Sequence, residues 1–293
     1  EIVASDWSSD VCSSDLMGLP EGRDIYIDHE ENDKPYVMKN SHIHDYYEIY
    51  YLMAGTRRYF INHTLYNMEP GDVILVNKGD LHLTTMISSE HYYERYLMTF
   101  NDNFVERVSQ NIDRELFMNA FEVKKVHVPV SKRYAFEALI HKLSTECERN
   151  DEYADFLAYS HMAELIIFLD RCSSHSVVPF DDISVHEERI QQVCKYIINY
   201  YNQQITLADI SKMAYMSPTY FSKKFKKVTG FGFNEYLNNV RIKMATNMLV
   251  ETQYSVTEIA RFCGYKDSNY FGDVFKKIMG VSPSKYRKAN YTF

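Results

Sequence analysis

Two stretches of the chain, LADISKMAYMSPTYFSKKFKKVTG (207–230) and VTEIARFCGYKDSNYFGDVFKKIMG (256–280), are copies of one pattern. Leu207, Ile210 and Ala214 align with Val256, Ile259 and Cys263 at an offset of 49. Tyr220, Phe221, Phe225, Lys226, Lys227 and Gly230 align with Tyr270, Phe271, Phe275, Lys276, Lys277 and Gly280 at an offset of 50, so one residue is inserted in between. Each copy carries apolar residues at helical spacing, a break, and helical spacing again, the signature of a helix-turn-helix unit. In the first copy Ser217 is a natural N-cap and Pro218 suits the first helical position. In the second, Gly264 sits in the turn and Asp267 or Ser268 can cap.

The faces of the second helices follow from the spacing. Phe221, Phe225 and Val228 form a buried stripe. Thr219, Ser222, Lys223 and Lys226 lie opposite, and adding 50 gives Asn269, Gly272, Asp273 and Lys276. Hydroxyls, amides and lysines are groups that read base edges or hold phosphates. On one helix such a face is ordinary solvated surface; two repeated faces in a basic segment argue for nucleic acid. The segment is basic: residues 186–293 hold 16 Lys+Arg against 8 Asp+Glu, a balance of +8, whereas the rest of the chain carries −16. Only the C-terminal part is therefore suited to a polyanion. Between the copies, residues 234–251 predict one helix with an apolar stripe of Leu237, Val240, Met244, Ala245, Met248 and Leu249. At about 1.5 Å per residue it spans roughly 27 Å. With the reading helices' own offsets, that can hold them about one DNA turn, ~34 Å, apart.

These residues strongly resemble the AraC/XylS family of bacterial transcription regulators. The resemblance rests on the tandem repeat, on Arg241-Ile242-Lys243 in the linker helix, and on the run from Ile259 to Tyr265 through Tyr270-Phe271, Phe275-Lys276-Lys277, Gly280, Ser282-Pro283 and Tyr286-Arg287. It covers about 100 residues and implies a domain contacting two successive major-groove segments of double-stranded DNA. Phe233 in the first copy stands where the second has Pro283. The DNA-contacting set expected is Thr219, Ser222, Lys223, Lys226, Lys227, Ser268, Asn269, Asp273, Lys276 and Lys277.

Residues 23–128 read as short strands rich in Tyr, Ile, Val and Phe: 24–28, 47–53, 58–61, 72–76 and 92–100. Turn signals at Ala54-Gly55, Asn62-His63, Pro70-Gly71 and Lys78-Gly79-Asp80 separate them, which predicts a barrel or sandwich. Two helices, 131–150 and 152–172, should follow. In the second, Phe156, Tyr159, Met162, Ala163, Ile166 and Ile167 recur at helical spacing. That stripe either packs on the barrel or, as the family resemblance implies, joins a homodimer.

His42-Ile43-His44 with Glu48 and Gly55, then Gly71, Gly79 and His82, resembles both cupin motifs, with Asn77 where cupins usually have Pro. Residues 42, 44 and 48 share strand parity and face one side of an extended chain; Tyr46 and Tyr50 share it too. His42, His44, Glu48 and His82 would make three imidazoles and a carboxylate, a set suited to a divalent transition metal. The resemblance to such regulators implies instead an effector pocket, in which the histidines pack, hydrogen-bond or touch the ligand; by their parity Tyr46 and Tyr50 would line the same interior unless a bulge intervenes. The tyrosines suit stacking against a sugar or other polar ring, though Tyr is also an ordinary strand former. The effector-pocket reading is preferred and requires no cofactor. A metal-dependent cupin enzyme fused to a DNA-binding module and a ligand-independent regulator remain the alternatives.

The first sixteen residues, EIVASDWSSDVCSSDL, hold the only tryptophan and no period. They read as translated sequencing adapter, with a natural Ser/Asp-rich tail as the alternative; Met17 would then be the first native residue. Five cysteines at 12, 147, 172, 194 and 263 form no CxxC pair, which argues against a disulfide framework and for a reducing cytoplasm. No apolar run approaches the ~18–20 residues of a membrane span. The expected organisation is α+β in two domains: a tail (1–16), a cupin-like effector barrel (17–130), a helical pair for dimerisation (131–173), a linker (174–186) and an all-α DNA-binding domain with two helix-turn-helix motifs (187–293).

Overall fold

The computed structural model describes residues 19–20, 22–33, 44–86, 92–149, 151–173 and 183–290. The chain divides into two compact units. One holds the described residues up to 173 except Phe60–Leu65; the other holds Phe60–Leu65 and residues 183–290.

The described strands are β1 (Ile25–Asn32), β2 (Tyr47–Gly55), β3 (Arg57–Ile61), β4 (Thr64–Met68), β5 (Asp72–Val76), β6 (His82–Thr85), β7 (Tyr93–Phe100) and β8 (Lys125–His127), all in the first unit except the end of β3 and the start of β4, which fall within Phe60–Leu65. They form a five-stranded sheet, β1-β7-β2-β5-β8, and a three-stranded one, β4-β3-β6. Every neighbouring pair in the larger sheet is antiparallel, and alternate residues along each strand face opposite ways. Ile49, Tyr51, Val73, Leu75, Met98 and Phe100 pack with helical residues into one core. The other face, Glu48, Tyr50, Leu52, Ile74, Val76, Arg95, Leu97 and Thr99 by register, carries the polar residues.

Helices cover the apolar face: α1 (Asp102–Val108), α2 (Arg114–Glu122), α3 (Val130–Glu148) and α4 (Ala154–Ser173). The first two correct the expectation of strands throughout this region. Asn101 and Asp113 cap them, their side chains accepting from the amides of Phe104 and Glu115. Of the stripe predicted on α4, Met162, Ala163 and Ile166 are buried in the unit's own core and Tyr159 packs against it. Phe156 departs from the expected stripe: it is 63% exposed.

The second unit's helices are α5 (Val185–Tyr200), α6 (Leu207–Met213), α7 (Pro218–Thr229), α8 (Phe233–Glu251), α9 (Val256–Phe262), α10 (Ser268–Met279) and α11 (Pro283–Asn290). The two copies of the repeat become α6–α7 and α9–α10. Each first helix opens with a capping box, Thr206 with Asp209 and Ser255 with Glu258. Each second helix ends on a left-handed glycine, Gly230 and Gly280. The linker helix α8 buries more than the stripe read from its sequence: Tyr236, Asn239, Arg241 and Ile242 are also inside. A helix apolar on several sides is one enclosed by its neighbours. Its second half shares a core with α9 and α10 through Ala245, Leu249, Ile259, Cys263, Phe271 and Phe275.

Arg241 locks this arrangement. Its Nε donates to the carbonyl of Tyr201 and one Nη to that of Gln203, both at 2.8 Å, while its guanidinium lies 5.3 Å from the centroid of the Tyr265 ring. Gly264 lies in the same crowd at φ 82°, and a Cβ there would sit 2.8 Å from the carbonyl oxygen of Asn202. Nothing else but glycine fits. The first copy meets the same turn with Tyr215 at φ 56°, its side chain 81% exposed.

Candidate nucleic-acid interface and effector site

On α7, Thr219, Lys223, Lys226 and Lys227 are exposed and Ser222 half-buried, while Phe221, Phe225 and Val228 are buried. On α10, Asn269, Asp273, Lys276 and Lys277 are exposed and Ser268 and Gly272 half-buried. Ser268 is the first residue of its helix; the cap is Asp267, whose side chain accepts from the Asn269 amide at 2.8 Å. The outward faces are therefore those that the 3.6-residue period separates from the core. Two lysines in the last turn of each helix also balance its negative end.

Four further outward residues stand outside the set expected from the sequence. Tyr220 and Tyr270 are 48% and 54% exposed at equivalent points of the reading helices. Lys212 and Arg261, equivalent at an offset of 49, are exposed basic groups in the last turns of α6 and α9. The signal was in the repeat: a tyrosine and a basic residue recur where packing does not require them.

In the first unit, the polar face of the sheets gathers most of the predicted cluster. His44 precedes β2, Glu48 and Tyr50 lie on it, and His82 opens β6. His44 Nε2 stands 3.4 Å and His82 Nε2 3.8 Å from Glu48 Oε2, and all three residues are buried. His42 lies outside the described residues. The Nδ1 atoms of His44 and His82 lie 2.8 and 3.0 Å from the carbonyl oxygens of Tyr46 and Asp80. A carbonyl only accepts, so each Nδ1 carries a proton, and each Nε2 turns inward toward Glu48. The ligand atoms of His44, Glu48 and His82 lie within 4.8 Å of one another. Two imidazole nitrogens and a carboxylate converging this closely suit a divalent transition metal or the hydroxyl donors of an organic ligand.

Tyr46 stacks on His44 with ring centroids 3.8 Å apart, bracing the imidazole. Tyr50 meets Tyr59 edge-on at 5.1 Å, and the Tyr59 hydroxyl donates to Glu48 Oε1 at 3.3 Å. Beyond them lie groups the sequence reading did not select. Arg95, 2% exposed, pairs with Asp28 at 3.0 Å and Glu30 at 2.7 Å. Burial works against its charge, but Tyr50, Glu30 and Asp28 outweigh burial and hold the guanidinium above its ordinary value. Arg57, also 2% exposed, lies 3.6 Å over the Tyr93 ring. The buried hydroxyls of Thr84 and Thr99 have no hydrogen-bond partner. Register puts Thr99 beside Glu48, and strand alternation puts Thr84 on the side of His82. An apolar core has no use for such groups; a polar cavity does.

Comparison with known proteins matches both units separately. Residues 24–166 match the AraC-like ligand binding domain and residues 210–289 a helix-turn-helix domain. The HTH-type transcriptional activator RhaR of Mannheimia succiniciproducens is 26% identical over 250 residues, 84% of this chain and 86% of the relative. The regulatory protein PocR of Salmonella typhimurium is 35% identical over 103 residues, 35% of this chain and 34% of that one. Among solved structures, an apo variant of ToxT from Vibrio cholerae covers 92% of this chain and 98% of its own at 17% identity, with a TM-score of 0.39. With an AraC-like ligand-binding domain followed by the paired helix-turn-helix motifs, the chain belongs to the AraC/XylS family of transcription regulators.

Proposed function

We propose that this protein is a cytoplasmic transcription regulator that binds double-stranded DNA through α7 and α10 and is switched by a small carbohydrate held on the polar face of its barrel. The observation that carries the DNA reading is the duplication. Two helices, each side-chain-capped at its start and closed by a left-handed glycine, turn a polar, lysine-bearing face outward and a phenylalanine pair inward. Base edges are read by Thr219, Ser222 and Lys223 of α7 and by Ser268 and Asn269 of α10, with Asp273 on the same outward face but not required for a base contact. Lys226, Lys227, Lys276 and Lys277 hold phosphates. Among the described residues no helix is long and apolar enough to cross a membrane.

For the effector, the imidazole nitrogens of His44 and His82 and the carboxylate of Glu48 exchange hydrogen bonds with sugar hydroxyls, and Tyr46, Tyr50 and Tyr59 offer ring faces to a sugar. Binding alters DNA affinity only to the extent that it favours one state of the protein over another. The converging groups also favour a second reading, in which His44, Glu48 and His82, with His42, hold a divalent metal. Such a metal would supply a positive charge that orients sugar hydroxyls. Because the relatives are regulators, the chain is read as a binding protein without catalytic turnover.

Calorimetry of the purified chain against a panel of neutral sugars tests the effector. A sugar that binds the wild type and is lost in Glu48→Gln supports the reading; silence across the panel removes it. Elemental analysis of the same preparation separates the metal form from the metal-free one. The protein is also proposed to be a homodimer, with Phe156 of α4 covered by the second copy. Sedimentation at micromolar concentration should show the dimer and should show it weakened by Phe156→Glu; a monomer with and without DNA rejects it.

A further inference from the structure

The two copies of the repeat make their turns with different residues. The second uses Gly264, which takes the left-handed conformation without steric cost, whereas the first holds Tyr215 there at φ 56°. A bulky side chain is strained in that region. Packing gives nothing back for the strain, because Tyr215 is 81% exposed. A strained residue kept at the surface points to use rather than to folding.

The Tyr215 ring has a cation beside it. The guanidinium of Arg189, on the second turn of α5, lies 5.2 Å from the ring centroid. Among the described residues that guanidinium forms no ion pair or hydrogen bond, and neither does the Tyr215 hydroxyl. Helix α5 is itself fastened to the first reading helix: Glu187 meets Lys224 at 3.4 Å, and the His186 ring meets Tyr220 edge-on at 5.7 Å. Lys212 belongs to the same turn. Its carbonyl accepts from the Tyr215 amide at 3.0 Å and its side chain is exposed. Asp209, three residues earlier, is engaged by Thr206. Glu187 is likewise committed to Lys224, and Glu188 lies about 100° round α5 from Arg189.

A reading helix enters the major groove by its N-terminal residues, while the helix before it crosses the sugar–phosphate backbone. With Thr219, Ser222 and Lys223 at base edges, the end of α6 and the turn at Tyr215 stand at the edge of the groove, where phosphates run. A guanidinium fork, a phenol and an ammonium are all donors, and phosphate oxygens accept from each. We propose that Arg189, Tyr215 and Lys212 form a grip on the DNA backbone at the first helix-turn-helix, which makes α5 a third DNA-contacting element. The inference rests on the DNA reading of α7 and α10. Tyr215 acts in part as a positioning residue, its ring holding the guanidinium in place. At the second copy Arg261 supplies the basic residue of the turn, but Gly264 leaves no ring for a guanidinium to rest on. The two halves of the DNA site are therefore held unequally.

Titration of the full-length protein at several salt concentrations tests this with two probes: the duplex that the wild type enriches from a random pool, and a scrambled duplex of equal length. Arg189→Ala and Lys212→Ala should each weaken both duplexes severalfold and lower the slope of log affinity against log salt by about one. Tyr215→Gly, which suits the left-handed turn, should weaken both duplexes with its thermal melt unchanged. Tyr215→Phe, which keeps the ring beside Arg189, should retain the wild-type salt slope. A merely structural contact would shift the melt and leave the slope alone. Wild-type affinity and slope in Arg189→Ala and Tyr215→Gly overturn the inference. So does a loss confined to the enriched duplex, which would make these residues base readers. A wild type that retains no duplex at low salt removes the DNA reading itself, a result distinct from unaffected variants beside a binding parent.

Discussion

Arg95 sits almost wholly out of water between two carboxylates, 3.0 Å from Asp28 and 2.7 Å from Glu30. Such a triad is weak evidence of net stabilisation, but removing one member strands the others. Arg95→Ala should therefore cost about 3–5 kcal/mol in urea unfolding of the first unit; a loss below the ordinary surface range of about 0.5 kcal/mol would contradict the geometry. Gly264→Ala is the matching case in the second unit, since it forces a Cβ into the Asn202 carbonyl at a positive φ. It should cost about 1–3 kcal/mol, whereas Tyr215→Gly, at the exposed equivalent turn, should be near neutral. Thermal melts of both variants check this pair. At this scale the sequence was legible wherever chemistry came as a local pattern. His44, Glu48 and His82 are gathered as the motif implied. Arg95 was not legible, because a charged residue in a strand reads as solvent-facing, and its partners Asp28 and Glu30 lie more than sixty residues earlier in the chain.

Among the elements, α7 and α10 share a frame but not a reading face. Lys223 can donate to guanine; Asp273, one repeat later, can only accept, and Gly272 offers no side chain. Lys223→Ala should lose about 1–3 kcal/mol and relax sequence preference at its contact. Asp273→Ala should be neutral or tighten binding without regard to sequence. Titrations against specific and scrambled duplexes at one salt concentration measure both. Selective weakening by Asp273→Ala would instead make α10 a cytosine reader. Asp209 and Glu258 brace the helices behind these two. Hydrogen bonds from Thr206 and Ser255 hold their carboxyls below the usual value. Their support is thus complete above the ordinary carboxylate range and fades as pH falls through the lowered folded value. The repeat made α6 through α10 readable to within a residue or two. Helices α1 and α2 escaped because seven- and nine-residue helices are too short to display a period, and Phe104-Val105 or Leu116-Phe117 looks equally like strand. Their caps, Asn101 and Asp113, were the signal available.

For the whole molecule, charge separates the roles: the C-terminal part carries +8 and the remainder −16. An acidic sensor and a basic reader confine phosphate contacts to one unit, so DNA affinity should fall steeply with salt, by about one power of salt concentration per phosphate-contacting lysine. The two-domain division was visible in that charge and in the switch from strand to helix patterning. The central claim is that two helices read DNA together across one spacer helix. Selection of binding sites from a random duplex pool by the full-length protein tests it most directly. The account predicts enrichment of two short conserved blocks whose centres lie about 10 base pairs apart, one helical turn, with the block read by α7 relaxed in Lys223→Ala. A single enriched block, or none, would contradict it.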